Sequence, residues 1–277
     1  NKPFRMRSEA PELSKEITGI TEGYEQRVTK DDRLYLLLKA SRDITYSDGH
    51  HELETVSLAV YPPVGDKPDQ ISANRAIYDQ ANSMMTFVGS VKIETKDALK
   101  VDTESMVYNQ ITEMGQTEAP ITFSRENISG NATGAVVDGK SKRLELKKDV
   151  QITVAPEVKD ATASRGTRAR PVTIRSARAI FEQPTLRLSF YGGVTADQER
   201  DTMSGTELFA TLNEQKRLEK VEVRGNSYLS SREEGRGAEV QAADMDFFLD
   251  KDQRLERAVA MKDARSRTLD ADADMTL

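Results

Sequence analysis

RAIYDQANSMMTFVGSV at residues 75–91 and RAIFEQPTLRLSFYGGV at residues 178–194 are two copies of one pattern, aligned without a gap at an offset of 103. Arg, Ala, Ile, Gln, Phe, Gly and Val recur at the same places, and Tyr78/Phe181, Asp79/Glu182 and Met85/Leu188 are conservative pairs. Within each copy the apolar residues alternate: Met85, Phe87 and Val91 share one parity, as do Leu186, Leu188, Phe190 and Val194. A period of two puts such residues on one face of a strand, and internal repetition marks a stack of similar units. Gly89 and Gly192 hold the same place in both copies, inside a strand pattern, where glycine marks a bulge or bend.

The alternation extends along the chain. Leu34, Leu36 and Leu38 face one way, Val56, Leu58 and Val60 follow, and Val150, Ile152 and Val154 form another run. Asp48-Gly49, Asp97, Asn109, Asp138-Gly139 and Asn213 punctuate these runs as turns. No stretch shows a helical period beyond about residue 25. A shorter repeat lays GTELFATLN (205–213) over AADMDFFLD (242–250) and RLEKVEV (217–223) over RLERAVA (254–260), both at offset 37. Doubling that offset brings Arg143-Leu144-Glu145 onto Arg217-Leu218-Glu219. The expected fold is all-β: an elongated antiparallel jellyroll or taco of stacked strand pairs, in which neighbouring layers share one apolar interior.

The expected organisation is a polar N-terminal segment (1–17), a first unit (18–154), a linker or long loop (155–170), a second unit (171–269) and an acidic tail (270–277). The chain starts at Asn1 without methionine, which suggests processing or truncation and the loss of a signal or anchor there. At 37% hydrophobic and 31% charged residues the chain has the make-up of a folded, polar-surfaced protein. A net charge of −6 argues against nucleic acid as main partner, because phosphate binding needs a basic footprint. Cysteine is absent, so disulfides, thiol catalysis and cysteine-based metal sites are excluded.

Gly134-Ala-Val-Val-Asp-Gly139-Lys140-Ser141 satisfies the phosphate-loop pattern GxxxxGK[ST]. A genuine phosphate loop opens a helix, whereas Leu144, Leu146, Val150 and Ile152 alternate as a strand, so a hairpin turn is expected here. His50 and His51 are the only histidines; adjacent on a strand they point apart, which is poor geometry for a shared metal. Neither lies in an apolar setting that suggests a nucleophile–base pair. Asp270, Asp272 and Asp274 lack the glycine and terminal glutamate of a calcium loop. No metal, cofactor or catalytic residue is assigned.

The apolar inner face remains as the candidate site. Its lining is expected to comprise Tyr78, Met85, Phe87, Val91, Ile93, Met106, Tyr108, Ile121, Phe123, Leu144, Leu146, Val150 and Ile152 in the first unit. In the second it comprises Leu186, Leu188, Phe190, Val194, Leu208, Val221, Val223, Met245 and Phe247. The two copies, from Met85 to Val91 and from Leu186 to Val194, are expected to point into one shared interior. Such a trough accepts fatty-acyl chains, each buried methylene contributing about 0.8 kcal/mol. The alternatives are a structural or adhesive β-solenoid with a sealed core, and a carbohydrate-active enzyme with a carboxylate pair.

ANRAIYDQANSMMTFVGSVKIET (73–95) followed by LKVDTESMVYNQITEMGQTEAPITFS (99–124) resembles the OstA-like repeat of the lipopolysaccharide-export proteins LptC and LptA. The positions that carry the likeness are Ala76, Tyr78, Met85, Phe87, Gly89, Val91, Thr103, Met106, Tyr108, Thr117, Pro120 and Ile121. Residues 18–60 are similar to the opening of LptC, including Gly19, Tyr35 and the strand Leu36–Ala40, and residues 172–269 look more like LptA. The resemblance implies a periplasmic, non-enzymatic conduit for lipopolysaccharide (lipid A) between inner and outer membranes, tethered to the inner membrane only through an anchor absent from this chain. It also implies joining to other jellyroll components through sheet edges, and a further repeat begun at Ala242 fits such a docking edge.

Overall fold

The computed structural model describes residues 16–155, 170–215, 217–233, 236–251 and 254–270. The first half contains β1 (Ile17–Lys30), β2 (Arg33–Tyr46), β3 (His50–Val60), β4 (Asp69–Asp79), β5 (Met84–Glu94), β6 (Lys100–Asn109), β7 (Met114–Arg125), β8 (Ile128–Asp138) and β9 (Arg143–Val154). The second contains β10 (Val172–Ser176), β11 (Arg178–Glu182), β12 (Arg187–Gln198), β13 (Asp201–Leu212), β14 (Leu218–Glu233), β15 (Arg236–Leu249), β16 (Leu255–Met261) and β17 (Arg265–Asp270). Among the described residues there is no helix, and the expected all-β antiparallel fold is what the chain forms.

Each strand pairs with its neighbours in sequence, so the sheet is a meander. β10 and β11 act as one strand interrupted at Ala177: both pair with β9 on one side and β12 on the other. β16 and β17 likewise share the outer side of β15. The ladder therefore runs on past residues 156–169, which lie outside the described residues; Val154 is in register with Val172.

The turns are built by short polar side chains that bond the backbone ahead of them. The Asn109 side-chain oxygen accepts the N–H groups of Ile111 and Thr112, both at 2.9 Å. Asp138 does the same for Lys140 and Ser141, both at 3.0 Å, and Asn213 for Gln215 and Arg217. The GxxxxGKS segment thus closes the β8–β9 hairpin and opens no helix.

A second set of unusual backbone angles lies in mid-strand. Gly89 (φ 81°) and Ser90 (φ 50°) on β5, Gly134 (φ 76°) on β8, Gly192 (φ 82°) and Gly193 (φ 79°) on β12, and Gly225 (φ 72°) on β14 are all left-handed. The strand register slips at these places, between Val88 and Val91, Tyr191 and Val194, and Arg224 and Ser227. Such bulges add a residue to one strand and bend it. Aligned across neighbouring strands, they crease the sheet so that its two halves cover a common inner face. Coverage is complete in places: Met85, Phe87, Val91 and Val223 are 0% exposed, which one uncovered sheet face does not allow.

The crease tolerates a side chain poorly. A Cβ on Gly192 would lie 2.6 Å from the Ala177 Cβ, at the break between β10 and β11, whereas one on Gly193 meets nothing within 4 Å. Gly192→Ala is expected to destabilise by about 2 kcal/mol or more, and Gly193→Ala by about 1 kcal/mol from its backbone angle alone. Urea unfolding of both variants checks that order.

Candidate functional site

The register lays the inner face out as rows running across the sheet, two on each wall of the crease. On one wall, the row distal to the crease runs Tyr78, Met85, Tyr108, Gly115, Val137, Leu144, Phe181, Leu188, Ala210, Val221 and Phe247. Beside it, nearer the crease, lie Leu53, Ala76, Phe87 and Met106. Further along the same row are Ala135, Leu146, Ala179, Phe190, Leu208, Val223 and Met245. On the other wall, the distal row runs Leu38, Leu58, Ile71, Ile93, Val101, Phe123, Gly130, Ile152, Ile174, Ala196, Met203, Leu229 and Val240. Val91, Thr103, Ile121 and Ala132 line that wall next to the crease. The result is an apolar slit between two walls of one sheet.

Of the residues expected from sequence to line a groove, all but one have side chains on the inward face of the sheet. Ile93, Tyr108, Phe123, Leu144, Leu188 and Val221 are half-buried, and the others on the face are buried. Leu186 is the exception. It is the left-handed residue (φ 50°) that closes the β11–β12 hairpin, not a strand residue. Its counterpart in the first copy, Ser83, has the same role at φ 53°, so the repeat itself marks the position as a turn.

The expectation of one shared interior is corrected. Leu36, Leu38, Leu53, Val56, Leu58, Met85, Phe87, Val91 and Met106 belong to one cluster. Ile121, Leu146, Val150, Phe190, Val194, Leu208, Val223, Met245 and Phe247 belong to another. Phe87 and Phe190 are equivalent in the repeat but pack in different cores; β6 contributes to both, Met106 to the first and Val101 to the second. Several lining residues escaped the sequence reading, notably Leu53, Ala76, Ile174 and Leu229. Parity was their signal, hidden where a bulge shifts it or where the side chain is only a methyl group.

The outer face is charged. Between inward Val221 and Val223, Glu222 points out and meets Arg224 at 2.6 Å and Lys220 at 3.1 Å. Lys220 and Arg257 lie over the Phe248 ring at 5.2 and 4.1 Å.

One ionisable pair breaks the pattern. Asp43, 3% exposed, sits at the β2 end of the row that contains Leu53, Ala76 and Phe87. Nδ1 of His51 donates to its two carboxyl oxygens at 2.9 and 3.1 Å. The reading that neither histidine has an apolar setting is therefore corrected for His51, which is in register with Tyr78 at the margin of the first cluster. Burial first, then Asp43 and Tyr78, push the Tyr24 phenol above its ordinary range. The Thr45 Oγ1 hydroxyl lies 3.5 Å from Nδ1, the nitrogen already bonded to Asp43. Among the described residues no group of three metal-binding side chains forms.

Lys140 is exposed, and its ammonium donates to the Ile111 carbonyl at 2.9 Å across the hairpin ends. No micromolar site for ATP and magnesium is expected in titration calorimetry, and Lys140→Ala should change stability by less than about 0.5 kcal/mol.

Tyr108 supplies a pH signature of the slit. Burial, with smaller contributions from Tyr35, Glu113 and Asp69, pushes its pKa up to about 12. The folded state resists ionising this phenol, so its stabilisation is complete below the unfolded value near 10 and is lost as pH rises toward about 12. Stability should fall by about 1–2 kcal/mol over that window, allowing for solvent screening of a half-buried ring. Tyr108→Phe should flatten that slope in urea unfolding at high pH.

The family profile described as "Lipopolysaccharide-assembly, LptC-related" matches residues 5–155, more than half of the chain. No curated protein matches it. No helix among the described residues is long and apolar enough to cross a membrane. With the creased antiparallel sheet, its apolar inner face and this match together, the chain belongs to the LptC-related lipopolysaccharide-assembly family of transport-bridge proteins, which serves lipopolysaccharide transport between membranes across the periplasm.

Proposed function

We propose that the slit holds the acyl chains of lipid A and passes lipopolysaccharide along the ladder from the β2 end toward the β16 end. The observation that carries this reading is that strand pairing continues, with an apolar inner face, from the family-matched region into β10–β16. At about 4.8 Å per strand, the ladder from β2 to β16 gives a path of roughly 60 Å. The hydrophobic effect is non-directional, so such a face grips acyl chains without fixing them at one point. Residues 18–154 would form an LptC-like unit and 171–269 an LptA-like one.

The two ends of the ladder suit joining to further sheets. Among the described residues β1 is in register with β2 alone, and β16 and β17 with β15 alone, so each end would offer a backbone edge to a partner strand. The second reading, a sealed-core scaffold, is favoured by the full burial of Met85 and Phe87, and requires that no lipid enter.

Photo-crosslinkers separate the two readings. Placed at half-buried Leu188 or Val221 they should capture lipopolysaccharide, and at outward Lys92 or Glu222 they should not. Phe190→Asp should lower capture at Leu188 by at least about tenfold, because a carboxylate beside acyl chains carries a desolvation cost of several kcal/mol. Equal capture from inward and outward positions, or none from either, overturns the conduit.

A further inference from the structure

We propose that the outer face of one wall carries a binding site for a neutral oligosaccharide, in a hollow over β6–β9. The wall is the one whose inner row contains Ile93, Val101 and Phe123. The site lies on the opposite side of the sheet from the slit and does not depend on the acyl-chain reading. The register gives this outer face two rows. One runs Lys92, Asp102, Thr122, Asn131, Gln151 and Arg175. The other, farther from the crease, runs Lys100, Ser124, Ser129, Thr153 and Thr173. From Asp102 to Gln151 in the first row, and from Ser124 to Thr153 in the second, these residues line a hollow of about 300 Å³, with Phe123 and Gly130 completing the lining. That volume stands at the lower end of the range for small-ligand sites, about 300–1,000 Å³.

Two features set the hollow apart. Its side chains are open to a ligand: among the described residues, those of Asp102, Thr122, Ser124, Ser129 and Asn131 are exposed and make no hydrogen bond or ion pair within the chain. On the outer face of the opposite wall the polar groups satisfy one another instead. Glu145, for example, meets Arg178 at 2.7 Å and Arg143 at 3.0 Å. The hollow is also nearly neutral. Asp102 is the one charged group in its lining, and the guanidinium beside it in the row, Arg175, is already bonded to Asp197 at 3.0 Å and to Gln151 at 3.3 Å.

Hydroxyls and primary amides both donate and accept, so they match a ligand whose own groups do both, and a carboxylate accepts from two neighbouring hydroxyls at once. A sugar has that chemistry. A phosphate or sulfate would face Asp102 with no cation in the lining, and an apolar ligand would leave these polar groups without partners. Strand pairing spaces the groups about 4.8 Å apart across strands and about 7 Å apart along them, the scale of hydroxyls on adjoining sugar rings. Beyond Arg175 the first row resumes with Thr195 and Ser204, so an extended run of sugars can lie across the strands.

The sugars of lipopolysaccharide and those of a lipid-free glycan share this chemistry, and the test separates them. Saturation-transfer NMR on the full chain uses two probes, chitotetraose and the dephosphorylated, lipid-free oligosaccharide released from lipopolysaccharide. At least one should bind, and the one that does names the source of the sugar. Asn131→Ala should weaken that binding by at least about fivefold, the loss expected for one hydrogen bond. Thr86→Ala, outward on the opposite wall, should leave it unchanged. Both positions lie outside the core, so urea unfolding of both variants should match the parent chain. Absence of transfer to either probe at millimolar concentration overturns the site. Binding that Asn131→Ala leaves intact, or that both variants weaken equally, overturns it too, and none of these results bears on the slit.

Discussion

The crease is the constraint on which the rest depends. An antiparallel meander can bury one face only if something lies on it, and among the described residues there is no helix and no second sheet to do so. The strands themselves fold over, and an L-residue strand does this at acceptable cost only where a left-handed residue interrupts it. Gly89, Gly134, Gly192 and Gly225 supply that conformation on strands spread across the sheet. With the crease in place, a row residue such as Phe87 exchanges water for the opposite wall, about 2–3 kcal/mol for a side chain of that size.

From the crease follows the division of labour between the faces. Side chains alternate, so each inward Val221 or Val223 implies an outward neighbour such as Glu222, whose charge is met by Arg224 and Lys220 in the wet exterior. These pairs lie partly buried on the outer face, within reach of water. Their value is that they keep charge out of the slit. Asp43 is the exception, held at the β2 end by His51, where it terminates the apolar row with a paired polar group. A buried charge is tolerable only when paired, and the pair occupies the end of the row and not its middle.

Much of this was legible along the chain. Alternation identified the strands, Asn and Asp located the hairpins, and the gapless repeat matched Gly89 to Gly192, whose φ values of 81° and 82° show one bend used twice. Which side chains face inward was legible too, because parity survives within each half-strand. Where it failed, the cause was local geometry. Leu186 has the right parity but stands at the left-handed corner of a turn, and the pairing of Asp43 with His51 is a diagonal contact across two strands, which only their register reveals.

The sequence by itself therefore determined the strand class, the turn positions, the inward face and the family, because each is written in short-range periodicity and in repeated local conformations. Only the tertiary structure decided how the inward faces are shared. Phe87 and Phe190 hold equivalent places in the repeat yet pack in different cores, because each is covered by side chains from different strands. Which strands come together is decided by pairing between residues distant in sequence, and no periodicity along the chain encodes it.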